Sequence, residues 1–294
     1  MDIEGAVVPL VTPSTGGNDV DVETLHALTV HLVDGGVHGL FPCGTTGEFS
    51  SLSRTMRKTV VETVVDAADG TPVYAGCGAT SVEAVRTLVS DAADAGADAT
   101  VVVTPFYLES DDDGLLKFYR QIAEDTPLPI VLYDIPGLTG HRLSPKLVGR
   151  LADDERIVGI KDSSGDIAHV ERLGRVTPEN FAVLQGSTAD AHASLDAGVD
   201  GFVAGGANAV PSRYAAAYEA HQAGKLERSR RLVYDDIFPI VGALTSLPTV
   251  PATKYLATVA GVDVGDPFPP LSPLTGRERS ALEERVASVV ESVD

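Results

Sequence analysis

Cysteine, basic residues and long apolar runs are all scarce in this 294-residue chain, and each scarcity excludes a class of protein. Its two cysteines, Cys43 and Cys77, have no further cysteine or histidine at metal-site spacing, which excludes a disulfide framework and a cysteine-based metal site. No apolar run approaches the roughly 20 residues that span a membrane. The start Met1-Asp2-Ile3-Glu4 has neither the basic nor the apolar region of a secretion signal, so we expect a cytoplasmic protein.

Charge of one sign dominates the composition. The chain has 22 lysine and arginine residues against 42 aspartate and glutamate residues, a formal net charge of -20 at pH 7. A surface this acidic repels phosphate backbones and anionic lipids, so neither nucleic acid nor a membrane is expected as a partner. Self-repulsion at this charge destabilises a compact state unless salt screens it. The composition therefore predicts a halophilic protein of a high-salt cytoplasm.

Eight short apolar runs alternate with helical patterns along the chain. Consecutive apolar positions predict strands covered on both faces, and the spacing leaves room for one crossover helix between successive strands. We predict an α/β fold, a closed (β/α)8 TIM barrel, while periodicity alone leaves a doubly wound open sheet as the alternative. The predicted strands are Ala6 to Val11, Gly39 to Cys43, Val73 to Cys77, Ala99 to Thr104, Ile130 to Asp134, Ile157 to Lys161, Ala182 to Gln185 and Gly201 to Ala204.

The barrel is expected to occupy residues 1–224, with residues 225–294 as a C-terminal helical extension packed on it. The extension has helical patterns from Leu226 to Leu244 and from Thr275 to Val290, and it contains no strand candidate. Two proline-rich stretches, Pro248 to Pro251 and Pro267 to Pro273, are expected to separate the helices. We interpret this tail as part of a lid or of a subunit interface.

Local signals predict where several helices begin. Ser53 precedes a run with apolar residues at helical spacing, and Ser144-Pro145 is typical of a first helical turn. Thr80 with Glu83 predicts a capping box, in which each side chain bonds a backbone N–H at the helix start.

Lys161 is the candidate catalytic residue. It directly follows the apolar run Ile157-Val158-Gly159-Ile160, where an ammonium group loses hydration. Partial burial favours the neutral amine, which is the nucleophilic form of lysine. The alternative is a lysine whose stem packs while its head pairs with Asp162 or Asp166. Position alone leaves these two interpretations equally open.

Other strand ends supply groups of matching chemistry. In Gly44-Thr45-Thr46-Gly47-Glu48, two glycines allow a tight loop whose N–H groups and hydroxyls can bind a small carboxylate, although a plain glycine turn is the alternative. Tyr133 and Tyr107 place a phenol at the ends of two more strands, or are packed residues with bonded hydroxyls. Together, an amine, a carboxylate cradle and a phenol are what binding a 2-oxo acid as a lysine imine requires.

The sequence gives little support for a dinucleotide-binding site or a metal site. The glycines after the eighth predicted strand lack the spacing of a dinucleotide fingerprint, and no metal site is predicted. The histidines, His169 among them, are scattered and are assigned to surface or packing positions. Asp111-Asp112-Asp113 is interpreted as a solvated loop.

Three motifs together resemble a known family. Gly44-Thr45-Thr46-Gly47-Glu48, Tyr133-Asp134-Ile135-Pro136 and Gly159-Ile160-Lys161-Asp162, in this order, are similar to the dihydrodipicolinate synthase and N-acetylneuraminate lyase family of Schiff-base aldolases. The similarity extends from Gly5 to the Pro267-Phe268-Pro269-Pro270 region. It implies a TIM barrel with a C-terminal helical extension, assembly as a homotetramer, pyruvate and an aldehyde as substrates, and no cofactor.

The resemblance also implies a role for each matching residue. Lys161 corresponds to the lysine that forms the Schiff base with pyruvate, and Tyr133 to the proton-transfer residue. Thr45 and Thr46 correspond to residues that bind the pyruvyl carboxylate, with Thr46 also in the proton relay that Tyr107 completes across a subunit interface. The remaining substrate-binding positions that it implies are Gly186, Val203, Leu138 and Ser163.

Leu138 bears on which family member this is. Synthases of the lysine pathway have an arginine at this place that holds the carboxylate of the aldehyde substrate, and leucine cannot replace that anchor. We therefore expect an aldolase for 2-keto-3-deoxygluconate or its 6-phosphate, similar to those of haloarchaea. The alternatives are dihydrodipicolinate synthase (4-hydroxy-tetrahydrodipicolinate synthase), an N-acetylneuraminate-type lyase, and a non-catalytic pyruvate-binding protein.

Overall fold

The structure is a computed structural model that describes residues 3–16 and 18–290. Its eight strands are β1 (Gly5–Pro9), β2 (Gly39–Phe41), β3 (Tyr74–Gly76), β4 (Ala99–Val103), β5 (Ile130–Asp134), β6 (Ile157–Asp162), β7 (Ala182–Gln185) and β8 (Gly201–Val203). They form one sheet in the order β2-β1-β8-β7-β6-β5-β4-β3. These parallel strands make a nearly closed barrel with helices between them, which confirms the predicted (β/α)8 TIM barrel with C-terminal helices.

Helices follow the strands and continue beyond the last one. The α-helices are α1 (Val22–Asp34), α2 (Arg54–Ala67), α3 (Val82–Asp94), α4 (Asp112–Ala123), α5 (Pro136–Thr139), α6 (Pro145–Ala152), α7 (Ile167–Val176), α8 (Ala191–Asp196), α9 (Pro211–Gln222), α10 (Leu226–Arg231), α11 (Phe238–Thr245), α12 (Thr249–Val259) and α13 (Gly276–Val290). A π-helix, Leu232–Ile237, joins α10 to α11. Within the described ranges, every helix is too short or too polar to cross a bilayer.

The described residues group into two compact units, and the first lies within Met1–Glu4 and Tyr74–Val203. In this unit, strands β3 to β8 pair successively in parallel. The register places Tyr133 opposite Lys161 and Asp134 opposite Asp162 at the ends of β5 and β6. The carboxyl ends of parallel strands lie at one edge, so residues distant in sequence become neighbours here.

The second unit lies within Gly5–Val73 and Ala204–Asp294. Strand β1 pairs with β2, and an isolated parallel bridge joins Leu40 to Val73. Helices α11 and α12 both pack against α13, and α9 packs against β1. The tail is helical, and residues 225–290 contain no strand. The predicted domain division between residues 224 and 225 stays a prediction.

Helix starts agree with the sequence signals in two cases and differ in two others. Ser53 and Ser144 accept hydrogen bonds from the backbone N–H groups of α2 and α6, as predicted. The cap of α3 is Ser81, whose hydroxyl accepts from the N–H of Ala84, and the capping box predicted at Thr80 is wrong. Both proline-rich stretches lie between α11 and α13 as predicted, but α12, which was not predicted, begins at Thr249 with Pro251 in its first turn, where proline is tolerated.

Candidate active site

Lys161 and Tyr133 lie together in the first unit. The Nζ atom of Lys161 is 3.9 Å from the centre of the Tyr133 ring, a distance at which an ammonium and an aromatic face attract each other. Both side chains are buried, with 6% and 4% of their surface exposed. The pair arises because the two residues are opposite each other on adjacent parallel strands.

The carboxylates that sequence analysis considered as partners of Lys161 have other contacts. Asp166 caps α7 by accepting from the N–H of His169, and its second oxygen bonds Arg142. One oxygen of Asp162 accepts from the N–H and the hydroxyl of Ser164. These contacts use both carboxylate oxygens of Asp166 and one carboxylate oxygen of Asp162.

Gly186 and Ser163 lie directly beside Lys161. A Cβ atom at Gly186 would lie 3.0 Å from Cε of Lys161 and 2.9 Å from the carbonyl oxygen of Asp162, and it would overlap the hydroxyl oxygen of Ser163. The N–H of Gly186 donates to that same carbonyl at 2.6 Å, which holds the ends of β6 and β7 together. A side chain at position 186 would therefore press on Lys161 and Ser163, and the substrate-binding roles of Gly186 and Ser163 stay predictions.

The other predicted residues of the first unit are Tyr107, Leu138 and Val203, and they differ widely in burial. Tyr107 is 94% exposed and has a left-handed backbone (φ 82°), and Leu138, in α5, is 65% exposed. Val203 is buried at the end of β8. The structure thus joins four predicted residues, Lys161, Tyr133, Gly186 and Ser163, and leaves the roles of the other three as predictions.

In the second unit, Thr45 and Thr46 lie in the tight loop that the glycines predicted. A Cβ atom at Gly47 would lie 2.9 Å from the carbonyl oxygen of Leu10, and the Gly47 carbonyl accepts from the Thr12 hydroxyl at 2.8 Å. The N–H of Glu48 donates to the carbonyl of Thr45, which closes the turn. The loop is therefore a fixed feature of this unit.

Glu48 anchors the loop through a buried ion pair that sequence analysis missed. One carboxylate oxygen is 3.0 Å from Nζ of Lys254, and the other accepts from the N–H of Phe268 at 2.7 Å. Lys254 also donates to the carbonyls of Thr12 and Asp266. The signal was present in the sequence, since Lys254 stands among apolar residues of a helix, but its partner is 206 residues away.

Burial sets the electrostatics of this pair. Loss of hydration raises the pKa of Glu48 and lowers the pKa of Lys254, and their mutual attraction opposes both shifts. The charge of Glu48 therefore offsets the cost of burying the Lys254 ammonium, and the ammonium offsets the cost of burying the carboxylate. The pair fastens the tail segment from Lys254 to Phe268 onto the loop that carries Thr45 and Thr46.

A second buried cluster lies in the first unit and was also missed. Asp134, Asp162 and His169 are 0%, 0% and 1% exposed, and Nε2 of His169 is 3.7 Å and 3.5 Å from the two carboxylates. Burial raises the pKa of Asp162, against the hydrogen bonds from Ser164. His169 was predicted to be a surface or packing histidine, because the spacing of the three residues matches no metal motif. Carboxylate and imidazole groups so placed are able to hold a cation.

Comparisons with known proteins agree on one family. Residues 2–289 match the model of the Dihydrodipicolinate synthetase family. The chain is 36% identical over 274 residues to the 4-hydroxy-tetrahydrodipicolinate synthase of Methanopyrus kandleri. The matched residues cover 92% of this chain and 91% of that protein. It is 35% identical over 290 residues to an uncharacterised DapA-like lyase of Halobacterium salinarum, covering 98% and 95%.

A solved structure shows the same fold. YagE of Escherichia coli K12, a protein of the dihydrodipicolinic acid synthase family in complex with pyruvate, superposes with a TM-score of 0.92 at 29% identity over 98% of each chain. The curated relatives named as synthases favour the synthase alternative over the sugar-acid aldolase that sequence analysis placed first. Closeness to the sugar-acid aldolases and a haloarchaeal origin stay predictions. The chain belongs to the dihydrodipicolinate synthetase family and is a lyase of the class I, Schiff-base aldolase type.

Proposed function

We propose that this enzyme joins pyruvate to an aldehyde, or cleaves the corresponding product, through a Schiff base at Lys161. The observation that carries the proposal is the buried pair of Lys161 and Tyr133, whose Nζ-to-ring distance is 3.9 Å. The amine is the nucleophile that forms an imine, and a phenol beside it is able to move a proton. The bound pyruvate of YagE supports the choice of 2-oxo acid.

The first step forms the imine. The amine of Lys161 attacks the ketone carbon of pyruvate, and loss of water leaves a protonated imine that withdraws electrons from the neighbouring methyl group. The lack of a side chain at Gly186 lets the backbone of β7 pack directly against Cε of Lys161, and a larger residue there would press on the adduct. Thr45 and Thr46 are proposed to bind the carboxylate of pyruvate; this role rests on the family resemblance.

The second step makes or breaks the carbon–carbon bond. Tyr133 and its proton relay take up a methyl proton from the imine, which becomes an enamine. The enamine carbon attacks the aldehyde, and Tyr133 returns the proton to the aldehyde oxygen. Hydrolysis of the new imine releases the product and restores the amine. Cleavage follows the same steps in reverse, with Tyr133 removing the hydroxyl proton. Thr46 and Tyr107 are proposed to complete the proton relay, and Tyr107 to do so from a second subunit.

The aldehyde has two candidates. Aspartate semialdehyde, the partner in a 4-hydroxy-tetrahydrodipicolinate synthase, is the first, because relatives that cover nine-tenths of the chain carry that name. Glyceraldehyde or its 3-phosphate, the product of cleaving 2-keto-3-deoxygluconate or its 6-phosphate, is the second. The observation that favours the second is Leu138, an exposed apolar side chain where a synthase needs a carboxylate anchor.

One assay set separates these candidates. The purified enzyme is incubated with pyruvate and aspartate semialdehyde, and separately with 2-keto-3-deoxygluconate with and without a 6-phosphate, while pyruvate consumption or release is followed. Lys161→Arg protein from the same preparation is the control for contaminating activity. Turnover of the semialdehyde alone establishes the synthase, and turnover of the sugar acid alone establishes the aldolase. Pyruvate binding without turnover of any substrate would leave a non-catalytic pyruvate-binding protein and contradict the proposal.

Exposed apolar residues of the first unit support assembly into the predicted homotetramer. Tyr107, Leu108 and Leu138 are 94%, 73% and 65% exposed, and large apolar side chains so exposed are typical of surfaces that another protein covers. A second copy of this chain is the proposed partner, and the resemblance gives Tyr107 a role across such an interface.

A further inference from the structure

Asp134, Asp162 and His169 form a cluster that is separate from the proposed Schiff-base chemistry. Asp134 and Asp162 end β5 and β6 and are opposite each other in the register, one position beyond Tyr133 and Lys161. Successive side chains of a strand point to opposite faces, so these carboxylates lie on the face away from the amine. His169 approaches that face from the first turn of α7. We propose that the three residues bind a divalent transition-metal ion.

The polar atoms of the cluster that have no hydrogen-bond partner among the described residues point to a ligand. Both oxygens of Asp134, one oxygen of Asp162 and Nε2 of His169 are buried, and none has a hydrogen-bond partner within residues 3–16 and 18–290. Buried polar atoms are nearly always bonded, because an unmet carboxylate oxygen away from water costs several kcal/mol. The other oxygen of Asp162 is held by Ser164, which orients the remaining one toward the imidazole.

Distances within the cluster suit an ion better than direct hydrogen bonds. Nε2 of His169 is 3.5 Å from Asp162 and 3.7 Å from Asp134, longer than an N–H to oxygen bond. The three donor atoms lie within 4.8 Å of one another. A cation placed at equal distance from the three donor atoms would lie roughly 2.4 Å from each, and side-chain shifts of a few tenths of an ångström would bring it to the ~2.1 Å that zinc prefers.

Charge leads to the same conclusion. Two ionised carboxylates would give the cluster a charge of -2, and a single N–H on Nε2 can reach only one carboxylate oxygen at a time. A divalent ion neutralises both and satisfies all three residues. An imidazole beside two carboxylates favours zinc, cobalt or manganese over magnesium and calcium, which take oxygen ligands almost exclusively.

Cobalt binding tests the site without measuring activity. Protein dialysed against a chelator is titrated with Co²⁺ while its visible absorption is recorded, and zinc is then added in competition. We expect about one Co²⁺ per chain with absorption bands of a low-coordinate site, and displacement by zinc. Asp162→Asn and His169→Gln should each weaken the binding at least ~100-fold. Glu171→Gln, an exposed carboxylate on the same helix, is the matched control and should bind as the unaltered protein does.

Two outcomes overturn the proposal: less than about a tenth of an equivalent of bound metal in the unaltered protein, or equal binding in both ligand variants and the control. If the variants fail to fold, nitrogen coupling from an imidazole in the pulsed EPR spectrum of the copper-loaded unaltered protein replaces them, and its absence counts against the site. Because no readout uses catalysis, a negative result leaves the Schiff-base proposal intact, and failure of that proposal leaves the metal site intact.

Discussion

At the scale of single residues, the phenol of Tyr133 is the group on which proton transfer depends. Tyr133→Phe keeps the buried ring beside Lys161 and removes the hydroxyl alone, so the imine should still form while the aldol step slows. We expect the turnover number to fall by about 10² to 10⁴. Steady-state kinetics with the better substrate measures this, and Tyr234→Phe, at an exposed tyrosine, is the control. An unchanged turnover number would remove Tyr133 from the mechanism.

The buried pair of Glu48 and Lys254 makes a second prediction at this scale. Lys254→Met leaves the Glu48 carboxylate buried without its cation, and breaking such a pair costs about 3 to 5 kcal/mol of unfolding free energy. Adding Glu48→Gln removes the stranded charge and should restore part of the loss. Urea unfolding of the two single variants and the double variant gives the coupling energy. A single variant within about 0.5 kcal/mol of the unaltered protein would contradict the stated role.

At the scale of elements, Gly186 controls how closely the ends of β6 and β7 approach. Gly186→Ala places a methyl group against Ser163 and the backbone of Asp162, so the strands must separate or Lys161 must move. We expect imine formation with pyruvate to weaken at least tenfold, because space at the amine is lost. Gly174→Ala, within α7 and with open space around the added atom, is the control and should raise stability by roughly 0.5 to 1 kcal/mol. Equal imine formation in both variants would contradict this packing.

Elements were predictable where their signal is local. Buried parallel strands are continuous apolar runs, and a serine cap such as Ser53 acts within three residues, so both could be found from the sequence. The cap of α3 was assigned to Thr80 because two adjacent hydroxyl residues, Thr80 and Ser81, offer the same chemistry, and only the backbone angles decide between them.

The site was predictable to the extent that topology alone brings its residues together. Lys161 and Tyr133 end neighbouring parallel strands, so the fold places them side by side. His169 and Lys254 were missed because their partners depend on how a helix is oriented and on contacts between distant parts of the chain. A single sequence has no periodicity that records such contacts.

At the scale of the whole molecule, the net charge of -20 predicts stabilisation by salt. Raising the KCl concentration from about 0.1 M to 1 M shortens the screening length from about 10 Å to about 3 Å and weakens the repulsion among surface carboxylates. We expect the thermal midpoint to rise steadily over this range, followed by circular dichroism. A neutral osmolyte at equal osmolality is the control and should have a smaller effect. A midpoint that falls with KCl would contradict halophilic behaviour.

The account as a whole depends on a covalent bond between Lys161 and a 2-oxo acid, and reductive trapping measures that bond directly. The enzyme is treated with sodium borohydride in the presence and absence of pyruvate, digested, and analysed by mass spectrometry, with Lys161→Arg as the matched control. The account predicts a reduced pyruvyl adduct on Lys161 that requires pyruvate and is lost in the variant. An unmodified Lys161 in enzyme that turns over its substrate, or an adduct on another lysine, would contradict it.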